Sequence, residues 1–126
     1  MTKQQKTILV VDDDASITSI LELILSQNGY RVLTATSQAS FYQVLQKSPS
    51  IDIALVDVKL KEASGLPILK ELMTTNPLIK VLMMTGYSID SIIKTIYEQG
   101  ALGIIYKPFD IEKALQIITD ISKSQS

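Results

Sequence analysis

Four apolar residues, Ile8-Leu9-Val10-Val11, run straight into Asp12-Asp13-Asp14. Three more apolar runs end on a polar group. Ile53-Ala54-Leu55-Val56 ends at Asp57, Val81-Leu82-Met83-Met84 at Thr85, and Ile104-Ile105-Tyr106 at Lys107. Carboxylates brought together repel, and at least one pKa rises. A divalent cation removes the conflict, and oxygen-only donors select magnesium or a related hard ion. Carboxylates, a metal, a hydroxyl and an ammonium together suit phosphoryl transfer. The metal and the lysine neutralise phosphoryl oxygens, and the hydroxyl donates a hydrogen bond. One carboxylate can act as the nucleophile and give an aspartyl phosphate.

These groups meet only if the intervening chain places them on one rim. Apolar runs and helical patterns alternate along the sequence. Thr7–Asp12, Tyr30–Ala35, Asp52–Asp57, Lys80–Thr85 and Leu102–Tyr106 read as strands. Between them, Ile17, Ile20, Leu21, Ile24 and Leu25 form one helical face, stopped by Asn28-Gly29. Ser37–Lys47 is a second helix, and a third ends near Asn76-Pro77. Ile89, Ile92, Ile93, Ile96 and Tyr97 make a fourth, and Ile111, Ala114, Leu115 and Ile118 a fifth.

Five strand–helix units predict a doubly wound α/β fold, a flavodoxin-like three-layer arrangement with a parallel sheet. The first, third and fourth strands are almost wholly apolar, as central strands are. Arg31 and Thr34 mark the second as an edge, so the order is 2-1-3-4-5. Ligands in such sheets bind beyond the carboxyl ends of the strands, where the winding reverses between strands 1 and 3. Asp12, Asp13 and Asp57 converge there. Asp14 reads as the cap of the first helix.

Composition narrows the field. The 126 residues are 46% apolar, with a formal charge of -1 and a single arginine. This predicts one domain with a real core, no direct contact with nucleic acid and no membrane span. Cysteine and histidine are both absent. That excludes disulfides, thiolate metal sites and histidine-based catalysis, and it fits the cytoplasm. The ends, 1–6 and 122–126, are polar.

With these motifs in view, the sequence resembles the receiver domain of bacterial two-component response regulators, of which the chemotaxis regulator is the single-domain form. The resemblance rests on Val11-Asp12-Asp13-Asp14, Leu55-Val56-Asp57 with Gly65 downstream, Met84-Thr85-Gly86 and Lys107-Pro108-Phe109. It implies that Asp57 is the phosphoacceptor. Asp13 is then a direct magnesium ligand, Asp12 one through water, and the main-chain carbonyl of Lys59 a further one. Thr85 binds a phosphoryl oxygen, Lys107 pairs with the phosphoryl group, and the Lys107-Pro108 bond is cis. The implied donor is a sensor histidine kinase or a histidine phosphotransfer protein. The implied output surface is helix 4, strand 5 and helix 5, leading to a downstream domain or protein. Such a domain catalyses only its own phosphorylation and dephosphorylation and is not otherwise an enzyme.

The sequence departs from the family pattern at several positions. Lys61 stands where proline is usual, which predicts a loop of longer reach or greater mobility after the acceptor. Ile104 replaces the usual switch aromatic, and Tyr106 lies on the same strand face nearer the rim. Lys59 and Tyr87 occupy the positions that tune phosphoryl lifetime, and the helix beginning near Ser88 is a second candidate carrier of the signal. Three rival readings stand beside the receiver. A magnesium-dependent aspartyl phosphatase needs an acid where Lys59 stands. A flavodoxin-like cofactor binder needs a phosphate loop free of acids. A receiver used only as a binding module has no need of Asp57, Asp13, Thr85 and Lys107 together.

Overall fold

A computed structural model describes residues 5–47, 50–61, 63–86 and 89–123. Five parallel strands form the central sheet: β1 (Thr7–Val11), β2 (Arg31–Ala35), β3 (Ile53–Asp57), β6 (Lys80–Thr85) and β7 (Gly103–Tyr106). Two further two-residue strands, β4 (Lys59–Leu60) and β5 (Ala63–Ser64), pair antiparallel as a small separate ribbon. The sheet order is β2-β1-β3-β6-β7. Counted over the five main strands, this is the order 2-1-3-4-5 expected from the sequence.

The helices are α1 (Ala15–Gln27), α2 (Gln38–Lys47), α3 (Leu66–Thr75), α4 (Ile93–Glu98) and α5 (Ile111–Lys123). Alternation along each strand divides the core in two. Leu9, Val11, Ala54, Val56, Val81 and Met83 face Phe41 of α2, Ile68, Leu69 and Leu72 of α3, and Ile96 of α4. Ile8, Val10, Ile53, Leu55, Leu82 and Met84 face Leu21 and Leu25 of α1 and Ile118 of α5. Both faces of β1, β3 and β6 are thus apolar, which is why their runs are continuous. Phe41 is fully buried, and side chains of this size each contribute about 1.5–3 kcal/mol on burial.

The helix ends follow local chemistry. Asp14 caps α1, its Oδ1 accepting the Ser16 N–H at 2.9 Å. Ser37 lies one residue before α2, and its Oγ accepts the Ser40 N–H at 3.1 Å. Gly29, past the end of α1, has φ +92, the left-handed conformation that glycine takes without strain.

One helix is shorter than its apolar spacing predicts. Ile89 and Ile92 share the spacing of α4, yet Asp90–Ile92 form a turn. The Ile92 N–H is donated to the Ile89 carbonyl three residues back, and the α-helical ladder begins only at Ile93. Ile89 is buried all the same. Apolar periodicity reports burial, and a tight turn can satisfy it without a helix. The expected helix start near Ser88 lies outside the described residues.

Candidate functional site

The site is built by strand register. Val11 of β1 is paired with Val56 of β3, so Asp12 and Asp57 come next on neighbouring strands. Asp57 is in turn paired with Met84 of β6. Asp12, Asp57 and Lys107 each follow a residue of the α1/α5 side by two positions, and alternation sends all three to that side. An open cleft of about 530 Å³ lies over them. Its described lining is Asp13, Asp14, Asp57, Lys59, Lys61, Gly86 and Lys107.

Two carboxylates are deeply buried: Asp12 is 0% and Asp57 4% exposed. Lys107 bridges them, with Nζ 2.5 Å from Asp12 Oδ2 and 2.8 Å from Asp57 Oδ2. Burial pushes the Asp12 pKa up, against the hydrogen bonds it accepts from Lys107 and the Asp14 N–H. Burial also works against the Lys107 ammonium, but its bonds to Asp12 and Asp57 outweigh that, and its pKa is raised. One ammonium between two buried acids leaves an excess of negative charge facing the cleft.

Each of the three acids also accepts a main-chain N–H. Asp14 donates to Asp12 Oδ1 at 2.9 Å, Lys59 to Asp57 Oδ1 at 3.1 Å, and Lys61 to Asp13 Oδ2 at 2.7 Å. One oxygen from each of Asp12, Asp13 and Asp57 lies within 4.8 Å of the others. An all-oxygen set of this spacing suits a hard cation that keeps part of its water shell.

The ribbon after β3 packs tightly onto the end of β3. Gly65 donates its N–H to Val58 O at 2.7 Å. A Cβ at position 65 would sit 1.9 Å from the Asp57 carbonyl oxygen, so only glycine permits this approach. The chain after Asp57 is thus tied back at Lys61 and at Gly65.

Residues 8–119 match the family model described as the response regulator receiver domain. The chain belongs to the response regulator receiver family. This receiver is 39% identical over 114 residues to the transcriptional regulatory protein ZraR of Klebsiella oxytoca, covering 90% of the chain and 25% of that protein. It is 34% identical over 116 residues to the DNA-binding transcriptional regulator NtrC of Escherichia coli K12, covering 91% and 24%. The receiver therefore spans about a quarter of the length of these curated relatives. Among solved structures, a CheY-like receiver domain protein from Methanospirillum hungatei matches with a TM-score of 0.87 and 29% identity, covering 94% of each chain.

The receiver brings most of the expected residues together. Asp13, Asp57, Lys59 and Lys107 line the cleft, and Asp12 reaches it through Lys107. Lys107-Pro108 is cis. Thr85 ends β6, as its apolar run predicts. It is 1% exposed and does not line the cleft among the described residues. Val81, Met83 and Thr85 alternate onto the side of α2, α3 and α4, opposite to Asp57. Tyr87 lies outside the described residues. Two contacts were not legible in the sequence: the bond from Lys107 to Asp12, and that from the Lys61 N–H to Asp13. The second is made by a main-chain group, which no residue type announces.

Among the described residues, no helix is long and apolar enough to cross a membrane.

Proposed function

We propose that Asp57 accepts a phosphoryl group from a phosphohistidine of a sensor histidine kinase or histidine phosphotransfer protein. The observation that carries this reading is the setting of Asp57: a nearly buried carboxylate, open to the cleft and held by one ammonium and one main-chain N–H. An Asp57 oxygen attacks phosphorus, the new P–O bond forms, and the P–N bond to the donor imidazole breaks. The imidazole leaves with the electron pair. Lys107 then turns its hydrogen bond from the Asp57 carboxylate to a phosphoryl oxygen while keeping Asp12. Thr85, one residue beyond the partner of Asp57, is the hydroxyl we assign to a second phosphoryl oxygen, which it meets by turning from the α2–α4 side toward the rim once the phosphoryl group is in place.

The acids fit magnesium. In this reading Asp13 and Asp57 are direct ligands, Asp12 acts through water, and the Lys59 carbonyl is a further ligand. Asp12 suits the indirect place because it is fully buried and does not itself line the cleft, whereas Asp13 and Asp57 do. A bound magnesium ion would screen the carboxylates and the incoming phosphoryl group from each other.

The output surface is α4, β7 and α5. Tyr97, Leu102 and Tyr106 are each about half exposed there. Ile104 packs against the core on the same strand face as Tyr106, and Tyr106 is the register partner of Thr85. We assign the report of phosphorylation to Tyr106 and α4, with Ile104 stationary. The partner is an output domain or separate protein, and the chain itself makes no direct contact with nucleic acid. The reading places it in the cytoplasm as a signalling domain that acts on no other substrate. The whole span 1–126 is taken as one receiver.

The test is intact-mass analysis after incubation with acetyl phosphate and magnesium. The protein should gain one phosphoryl group, and Asp57→Asn should gain none. Turnover of a small phosphoester without stable labelling would favour the phosphatase alternative, and no labelling at all would favour a pure binding module.

A further inference from the structure

The Lys61 N–H reaches across 48 positions of sequence to Asp13 Oδ2 at 2.7 Å. Asp12 and Asp57 sit at the ends of strands and share Lys107, so sheet register already fixes them. Asp13 lies past the end of β1, in the turn before α1, and is only partly buried. We propose that Lys61 is a positioning residue for Asp13, acting through its main-chain N–H. It holds one carboxylate oxygen so that Asp13 faces the cleft ready for the cation. This rests on the magnesium reading of the site.

Local structure supports the assignment. Lys61 follows directly on the ribbon strand β4, where Lys59 pairs with Ser64 and Leu60 with Ala63. Gly65 then ties the returning chain to Val58. The turn that carries the Lys61 N–H is therefore anchored to the acceptor strand at both ends. The donor is the backbone, so any residue with an N–H can serve and proline, the usual residue at this place in the family, cannot; the hold on Asp13 is a feature of this chain. Lys61 is itself a lining residue of the cleft, and the positive charge of its side chain opposes a cation there. Main chain and side chain of one residue thus act on the metal in opposite senses. Partners that orient a metal-ligating carboxylate are worth roughly 10–100-fold in affinity.

The test separates the two by calorimetric magnesium titration of the wild type, Lys61→Ala and Lys61→Pro. Lys61→Ala keeps the N–H and loses the opposing charge, so it should bind magnesium as tightly as the wild type or more tightly. Lys61→Pro loses the N–H as well and should bind roughly tenfold more weakly than Lys61→Ala. Proline also restricts the preceding residue, so a second measurement leaves position 61 intact. In the metal-free protein the Lys61 amide proton resonance should move toward its random-coil position in Asp13→Ala and stay in place in Asp14→Ala. Equal affinity of Lys61→Pro and Lys61→Ala, or a Lys61 amide indifferent to Asp13→Ala, would overturn the proposal while the metal reading stands. A wild type that binds no magnesium would overturn the metal reading itself.

Discussion

Lys107 Nζ stands 2.8 Å from Asp57 Oδ2, so the proposed acceptor carries its counter-ion before any phosphoryl group arrives. The same ammonium holds Asp12 at 2.5 Å. Two buried acids and one base make the metal-free cleft unbalanced. In the proposed reading that imbalance is what a cation later relieves.

This predicts opposite effects for two substitutions in the metal-free protein. Lys107→Met leaves two buried carboxylates without their counter-ion and should lower the unfolding free energy by about 3 kcal/mol. Asp57→Asn removes one of the repelling charges and should leave stability unchanged or raise it. Urea unfolding without magnesium measures both. A loss in Asp57→Asn as large as that in Lys107→Met would show that the acids do not repel as described.

Adjacent acids should separate cleanly into a ligand and a cap. Asp13→Ala should abolish the rise in thermal stability that magnesium gives the wild type by mass action. Asp14→Ala should keep that rise but cost about 1 kcal/mol, the usual worth of an N-cap. Thermal unfolding with and without magnesium reads both at once. Equal loss of the magnesium effect in the two variants would refute this division.

Gly65→Ala should cost about 1–3 kcal/mol, in the range of an overpacked core. The added Cβ meets the Asp57 carbonyl oxygen, part of the backbone of the acceptor strand, and cannot be relieved by a rotamer change. The strain falls on the acceptor itself, so the variant should also take up the phosphoryl group more slowly. Full stability together with full labelling would mean that the ribbon does not need this close approach.

Much of this was legible in the sequence. Continuous apolar runs marked β1, β3 and β6 because both of their faces are covered by helices. Arg31 marked β2 as an edge. Asp12, Asp57 and Lys107 could be placed on one rim because strand ends are fixed by register. The losses have physical reasons too. The ribbon strands β4 and β5 are two residues each, too short for any periodicity. Ile89 is buried in a turn, which apolar spacing cannot tell from a helix. The hold on Asp13 comes from a peptide N–H, which every residue but proline possesses.

The output side is testable by NMR. With Ile104 and Tyr106 side chains labelled, beryllofluoride in magnesium should shift the Tyr106 ring and the α4 amides, while the Ile104 methyls stay put. The reason is placement. Tyr106 is beside Thr85 and 54% exposed, whereas Ile104 is packed into the core. A ligand moves an equilibrium only by its differential affinity for the two states. Shifts confined to the neighbourhood of Asp57 would sink this route.

The central claim is that Asp57 is the acceptor, and the most direct measurement locates the acyl phosphate itself. Protein treated with acetyl phosphate and magnesium is reduced with borohydride, which converts an aspartyl phosphate to homoserine, and is then sequenced by tandem mass spectrometry. The account predicts homoserine at position 57 and unmodified aspartate at positions 12, 13 and 14. Homoserine at any of those three positions, with Asp57 untouched, would contradict it.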